Sequence, residues 1–114
     1  MDRDLINSIC RTYPGAELSD PWGGGHDAWK IGGKMFACIG SVLPGVSVKT
    51  DSIETAEMLI DTEVGIKAPY FHRSWVLLPW ATSEDELQRR LAASYRIVRG
   101  GLTKKAQAEL APFE

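Results

Sequence analysis

Nucleophilic chemistry in this chain would need Cys10 or Cys38 beside His26 or His72. Cys10 falls on the apolar stripe of a helix pattern and Cys38 on the inward face of a strand pattern. Both thiols are therefore expected in the core, where thiols are usually inert. A metal site needs ligands at fixed spacing. Two histidines and two cysteines spread along the chain supply none, and His26-Asp27 is a lone pair. A phosphate cradle needs a glycine-rich loop that opens a helix. Gly23-Gly24-Gly25 and Gly32-Gly33-Lys34 both precede strand-like runs, and no Ser or Thr follows Lys34. The residue types point away from catalysis, and no metal or cofactor is expected.

Binding is the remaining chemistry, and two sets of residues qualify. Lys30, Lys49, Arg73 and Trp75 are expected on one open sheet face, with Met35 and small alanines between them. Cations that track phosphates beside a stackable ring suit single-stranded nucleic acid. Lys34, at a hairpin tip, would instead meet a duplex through its backbone. His72 stands in the same stretch as Arg73 and Trp75 and is counted with them. The second set is the basic C-terminal part: Arg89, Arg90, Arg96, Arg99, Lys104 and Lys105, where arginines repeating on a helix face could follow phosphates. A different class of partner fits the first surface equally well. An exposed Trp75 would mark a docking patch for another protein. Scattered lysines on a sheet and arginines on a helix are also what a plain solvated surface carries.

Charge does not choose between these readings. The net charge is −2, which argues against whole-surface binding of polyanions. Its distribution is uneven: residues 1–66 carry five Lys/Arg against ten Asp/Glu, and residues 67–114 carry eight against five. With 114 residues, 44% apolar and 25% charged, the chain suits one soluble domain, residues 1–114, with an unaided core. Its longest apolar run, near Trp75 to Ala81, is far below the ~20 residues that span a bilayer. MDRDLINSIC lacks a basic region followed by an apolar run, so no secretory signal is expected and the cysteines are expected reduced.

The elements that must position these residues follow from periodicity. Asp2 to Tyr13 places Leu5, Ile6, Ile9, Cys10 and Tyr13 on one helical stripe, stopped by Pro14-Gly15. Ala16 to Ser19 reads as a short edge strand. Trp22, before the glycine loop, is expected to lie against the domain. His26–Ile31 and Lys34–Ile39 flank Gly32-Gly33, the signature of a two-residue hairpin. That turn sets Ile31 opposite Lys34, Lys30 opposite Met35, Trp29 opposite Phe36 and Ala28 opposite Ala37. Trp29, Phe36 and Cys38 would then face the core. Leu43-Pro44-Gly45 is a turn, and Val46 to Thr50 a third strand with Val46 and Val48 inward. Asp51 with Glu54 forms a capping box for a helix from Ile53 to near Thr62. Gly65 to Pro69 is a loop.

Lys67 to Trp80, KAPYFHRSWVLLPW, is the stretch around which the rest assembles. Ser74 to Leu78 is a strand, with Ser74, Val76 and Leu78 inward and Arg73, Trp75 and Leu77 outward. Ser83 with Glu86 caps a helix from Glu84 to Arg99, stopped by Gly100-Gly101. Thr103 caps a last helix, Lys104 to Leu110. The order α-β-β-β-α-β-α-α, with a possible extra N-terminal edge strand, defines an α+β fold: an antiparallel sheet with helices on one face.

Several of these pieces resemble one family. Pro14-Gly15-Ala16-Glu17, the hairpin Trp29-Lys30-Ile31-Gly32-Gly33-Lys34-Met35-Phe36-Ala37 and Val46-Ser47-Val48-Lys49-Thr50 are similar to the MmcQ/YjbR-like proteins. So are Ala68-Pro69-Tyr70, Trp75 and Ser94-Tyr95, and the likeness covers nearly the whole chain. The resemblance implies an α+β fold similar to type III secretion chaperones and, in outline, to frataxin-like proteins. It also implies a bacterial cytoplasmic protein of the kind labelled DNA-binding under the name "double wing". It brings no set of contact residues. Many members carry a His directly before the strand Trp, where this chain has Ser74. The expected function is thus non-catalytic binding, to DNA or, through the sheet face around Trp75, to a partner protein in a chaperone-like role.

Overall fold

Asp2 sets the first element. Its carboxylate accepts from the Leu5 N–H at 2.9 Å and caps α1, Arg3–Arg11. The structure is a computed structural model that describes residues 1–42 and 44–113. After α1 come β1 (Glu17–Ser19), β2 (Asp27–Ile31), β3 (Lys34–Ile39) and β4 (Gly45–Lys49). Then follow α2 (Ile53–Asp61), β5 (Ile66–Lys67), β6 (Trp75–Pro79), α3 (Glu84–Gly100) and α4 (Lys104–Ala108). The strands form one antiparallel sheet in the order β1-β2-β3-β4-β6-β5. The expected α+β architecture is present. The pairing adds β5, where a loop was expected, and makes the N-terminal edge strand real. The turn expected at Leu43-Pro44-Gly45 begins on a residue outside those described, and Gly45 already belongs to β4.

The helices cover one face. Ile6, Ile9 and Cys10 of α1, Ala56 and Leu59 of α2, and Leu87, Leu91 and Tyr95 of α3 share a core with Trp29, Phe36, Ile39, Val46, Val48, Val76 and Leu78. A fully buried Leu contributes about 1.5–3 kcal/mol, against about 0.5 kcal/mol or less for a surface i,i+3 or i,i+4 ion pair. The apolar stripe of α3 therefore holds it to the sheet, more than Arg89 and Arg90, which both reach Glu86. The cap of α2 differs from expectation: Ser52, not Asp51, accepts from the Thr55 N–H, at 3.0 Å.

A bulge decides which side chains face which way. The hairpin turn at Gly32-Gly33 has φ of 57° and 79°, the positive values a primed turn requires. Next to it Ile31 pairs with Lys34 and Lys30 with Met35, as the turn predicts. Beyond that the register slips: Trp29 pairs with Ala37 and Ala28 with Cys38. Phe36 is the extra residue, so Phe36 and Ala37 both turn toward the helix side. Cys38 is thereby moved to the opposite face, across from Ser47. The expectation that Cys38 faces the main core and Ala37 the open side is corrected by this single residue. The bulged Phe36 carbonyl accepts from the Ser94 hydroxyl at 2.6 Å, and Ser94 in turn accepts from the Lys49 N–H at 2.9 Å.

Candidate functional site

The face away from the helices carries its own small cluster. Trp75 and Leu77 of β6 point there, with Ala68, Met35 and Phe71 packed around them. The outward direction expected for Trp75 is thus correct, but its exposure is not. Trp75 is only 9% exposed, because the segment between β5 and β6 folds over it and Phe71 stacks on the indole at 4.5 Å, 23° from parallel. Its ring is already stacked by the chain itself and offers no free platform for a base.

The other expected contact residues scatter. Arg73 precedes β6 rather than lying in it, and turns to the helix side, where it pairs with Glu57 of α2 at 3.0 Å. It does not share the open face with Trp75. Lys49 points its Nζ at the Ser74 hydroxyl, 3.2 Å away, and His72 Nδ1 lies 2.9 Å from the same hydroxyl. Lys30 is half-buried and lies directly across from Glu17 on β1, an opposite-charge neighbour. Lys34 is exposed at the hairpin tip. On α3, Arg89 meets Glu86, Arg96 stacks on the Phe113 ring at 4.8 Å, and Arg99 donates to the Tyr95 hydroxyl at 3.1 Å. Arg90 and Arg96 line a second hollow of about 320 Å³ together with Lys49, and Asp51 stands in the same lining.

What the fold does assemble beside Trp75 is a hollow of about 490 Å³. Cys38 and Ser47, neighbours on β3 and β4, form its floor. Phe71 closes one side, and Trp22, His26, Val42 and Tyr70 stand around it. Among the described residues, no Asp, Glu, Lys or Arg lines it. Trp22, expected against the domain, is 58% exposed, touching His26 edge to face at 4.9 Å. Val42 is 90% and Tyr70 98% exposed. Asp20 holds the Trp22 loop in shape by accepting from the N–H groups of Gly24, Gly25 and His26. Those N–H groups, that of Gly25 first, keep the Asp20 carboxyl below its ordinary range. Burial pushes the Cys38 thiol up to about 11, helped by the Asp27 carboxylate and opposed by Arg3, so at neutral pH it is an uncharged apolar group. Sequence reasoning missed this hollow because its walls come from three loops far apart in the chain. The available signal was Trp22 beside a glycine run, an aromatic placed where no periodic element could bury it.

Among the described residues, no three His, Cys, Asp or Glu side chains converge as a metal site would require. Among the same residues, no helix is long and apolar enough to cross a membrane.

An antiparallel sheet, helices on one face and a loop-walled hollow on the other define an α+β protein of the kind the hairpin and strand motifs suggested. The family model described as YjbR matches residues 11–97, and the chain belongs to that family. A crystal structure of the Deinococcus radiodurans protein DR2400, described as a DUF419 domain, superposes with a TM-score of 0.82. It is 22% identical, with 93% of this chain and 85% of that one covered, a likeness of fold. A search of curated proteins gave no match.

Proposed function

We propose that this chain is a non-catalytic binding module and that its ligand surface is the hollow on the open sheet face. One observation carries the reading. Of seven exposed large apolar side chains among the described residues, three, Trp22, Val42 and Tyr70, stand around this one hollow. Exposed apolar side chains scattered singly need no explanation, but a group of them around a concave apolar floor does. The lack of Asp, Glu, Lys and Arg in its lining among the described residues favours an apolar ligand group over a phosphate backbone. The protein-docking reading centred on Trp75 is thereby relocated: Trp75 backs Phe71, and Phe71 meets the ligand. A cytoplasmic location accords with two unlinked buried cysteines.

A DNA-binding role is the second reading. Lys34, exposed at the hairpin tip, and Lys30 have no ion-pair partner among the described residues and could reach phosphates.

Two titrations across one salt series test both. Methyl cis-parinarate, a neutral polyene that brightens in apolar surroundings, should brighten on binding the folded protein, with little salt dependence, and lose that signal in Trp22→Ala/Tyr70→Ala. Equal brightening by the double variant would overturn the hollow as ligand surface. Fluorescence anisotropy with single- and double-stranded DNA covers the other reading. Binding that weakens steeply with salt and disappears in Lys30→Ala/Lys34→Ala would establish it. No binding at low salt would remove it.

A further inference from the structure

Tyr70 is the most exposed of the large apolar side chains, and it also has a φ of 70°. A bulky residue in the left-handed region is a backbone outlier, and such outliers cluster where a loop is held for a purpose. Packing does not explain this one, since the side chain is 98% exposed. What the unusual backbone accomplishes is to stand a phenol ring at the edge of the hollow, beside Phe71 and across from Trp22.

We infer that the hollow binds a free, neutral, planar aromatic molecule bearing a hydrogen-bonding group, with Ser47 answering that group and Tyr70 closing over the ring. The inference rests on the reading of this hollow as the ligand surface and names the class of ligand. Four features select that class. The volume of about 490 Å³ lies within the range of small-molecule sites, roughly 300–1,000 Å³. The aromatic side chains of Trp22, Tyr70 and Phe71 favour a flat π-system, which they can meet face-on or edge-on. Among the described residues no Asp, Glu, Lys or Arg lines the hollow to offset burial of an ionised group, so an anion or ammonium is disfavoured. The floor also cannot take an extended polypeptide as an added strand. β3 and β4 are interior strands, paired on both edges, so their backbone groups are already occupied. Ser47 is the polar exception on this floor. It is 1% exposed, and its hydroxyl can donate to or accept from a ligand group there. His26, in the same lining, has a buried Nδ1 without a hydrogen-bond partner among the described residues, and a ligand group would supply one.

The test is a titration of the isotopically labelled full chain with acridone, a neutral three-ring probe with one N–H and one C=O, followed by amide and indole chemical shifts. Saturable shifts should concentrate at Trp22, Cys38, Ser47, Tyr70 and Phe71. Acridone-4-carboxylate should bind at least tenfold more weakly, and the tripeptide Gly-Trp-Gly should give no saturable shift. Ser47→Ala should weaken acridone binding by about fivefold, the value of one neutral hydrogen bond. Tyr70→Gly should weaken it similarly while raising the thermal midpoint, a split that a merely structural tyrosine would not give. Unmoved signals around the hollow, equal binding of the carboxylate, or undiminished binding by Tyr70→Gly would overturn the ligand class. Tighter binding of the tripeptide would hand the site to polypeptides. If the neutral polyene still binds the Trp22/Tyr70 rim while acridone does not, the ligand class falls and the surface stands. If neither binds, both fall.

Discussion

A single hydroxyl holds together the place where the hairpin register breaks. Ser94 is fully buried on α3, donates to the Phe36 carbonyl that the bulge has turned from its ladder, and accepts from the Lys49 N–H. Leaving a buried backbone group unsatisfied costs about 1–3 kcal/mol, and Ser94→Ala strands two of them. We expect this variant to lose about 2–4 kcal/mol in urea unfolding. A loss under about 0.5 kcal/mol would mean the two groups find other partners. Tyr70 provides the opposite case. With its side chain in solvent and its φ at 70°, Tyr70→Gly removes strain of about 1–2 kcal/mol without removing packing. Stability should rise by about 1 kcal/mol in the same assay. Unchanged or lower stability would show that the phenol contributes contacts in solution. Neither residue's role is visible in its own identity. Ser94 reads in the sequence as one small residue on an apolar helix stripe, and Tyr70 as one loop aromatic.

At the scale of elements, helix limits were legible because capping is local chemistry. Asp2, Ser83 and Thr103 each accept from an N–H three residues on, as side chains of their type do at N-caps. The second helix is instructive because two candidates stood side by side. Ser52→Ala should destabilise the protein by about 1 kcal/mol, whereas Asp51→Ala, at an exposed position outside the cap, should change it by less than about 0.5 kcal/mol. The reverse order in thermal unfolding would restore Asp51 as the cap. Strand register was less legible. The Gly32-Gly33 turn correctly predicts the first two pairs of the hairpin, but the bulge four residues further changes the face of Cys38. Nothing between Met35 and Cys38 distinguishes a bulged strand from a regular one, because Phe36 and Ala37 are both acceptable on either face. What selects the bulge is the fit of Phe36 beneath Tyr13 and Tyr95 together with a hydroxyl from α3.

For the molecule as a whole, Arg3 is the tie between the N-terminal helix and the loops that wall the hollow. Its guanidinium meets Asp27 at 2.8 Å and also donates to the carbonyls of Gly25 and Gly40. Asn7 donates to the same carboxylate and accepts from the Trp29 indole. Burial alone would raise the Asp27 pKa, but the hydrogen bonds from Asn7 and Arg3 and the Arg3 charge outweigh it, and the net direction is down. A carboxyl lowered in the folded state binds its proton more readily when unfolded. Its stabilisation is therefore present above the ordinary aspartate value of about 3.9 and is lost as pH falls through the lowered folded value. We expect wild-type stability to drop across that acid window and Asp27→Asn to start lower at neutral pH and change less on acidification. Parallel pH profiles for the two proteins would show that Asp27 is not the group responsible.

Local chemistry in the sequence determined the helices, three of their four caps, the hairpin turn and the helix-covered antiparallel sheet, because periodicity, capping residues and paired glycines act over a few neighbouring positions; the family was legible as a resemblance of short motifs. Tertiary structure alone decided the candidate site. Trp75 was made an inner support by Phe71, Arg73 was turned to Glu57 and Arg96 to the Phe113 ring, and loops more than forty residues apart were brought around Cys38 and Ser47. Whether a side chain is free or engaged depends on which distant residue arrives beside it, and no short-range pattern along the chain carries that information.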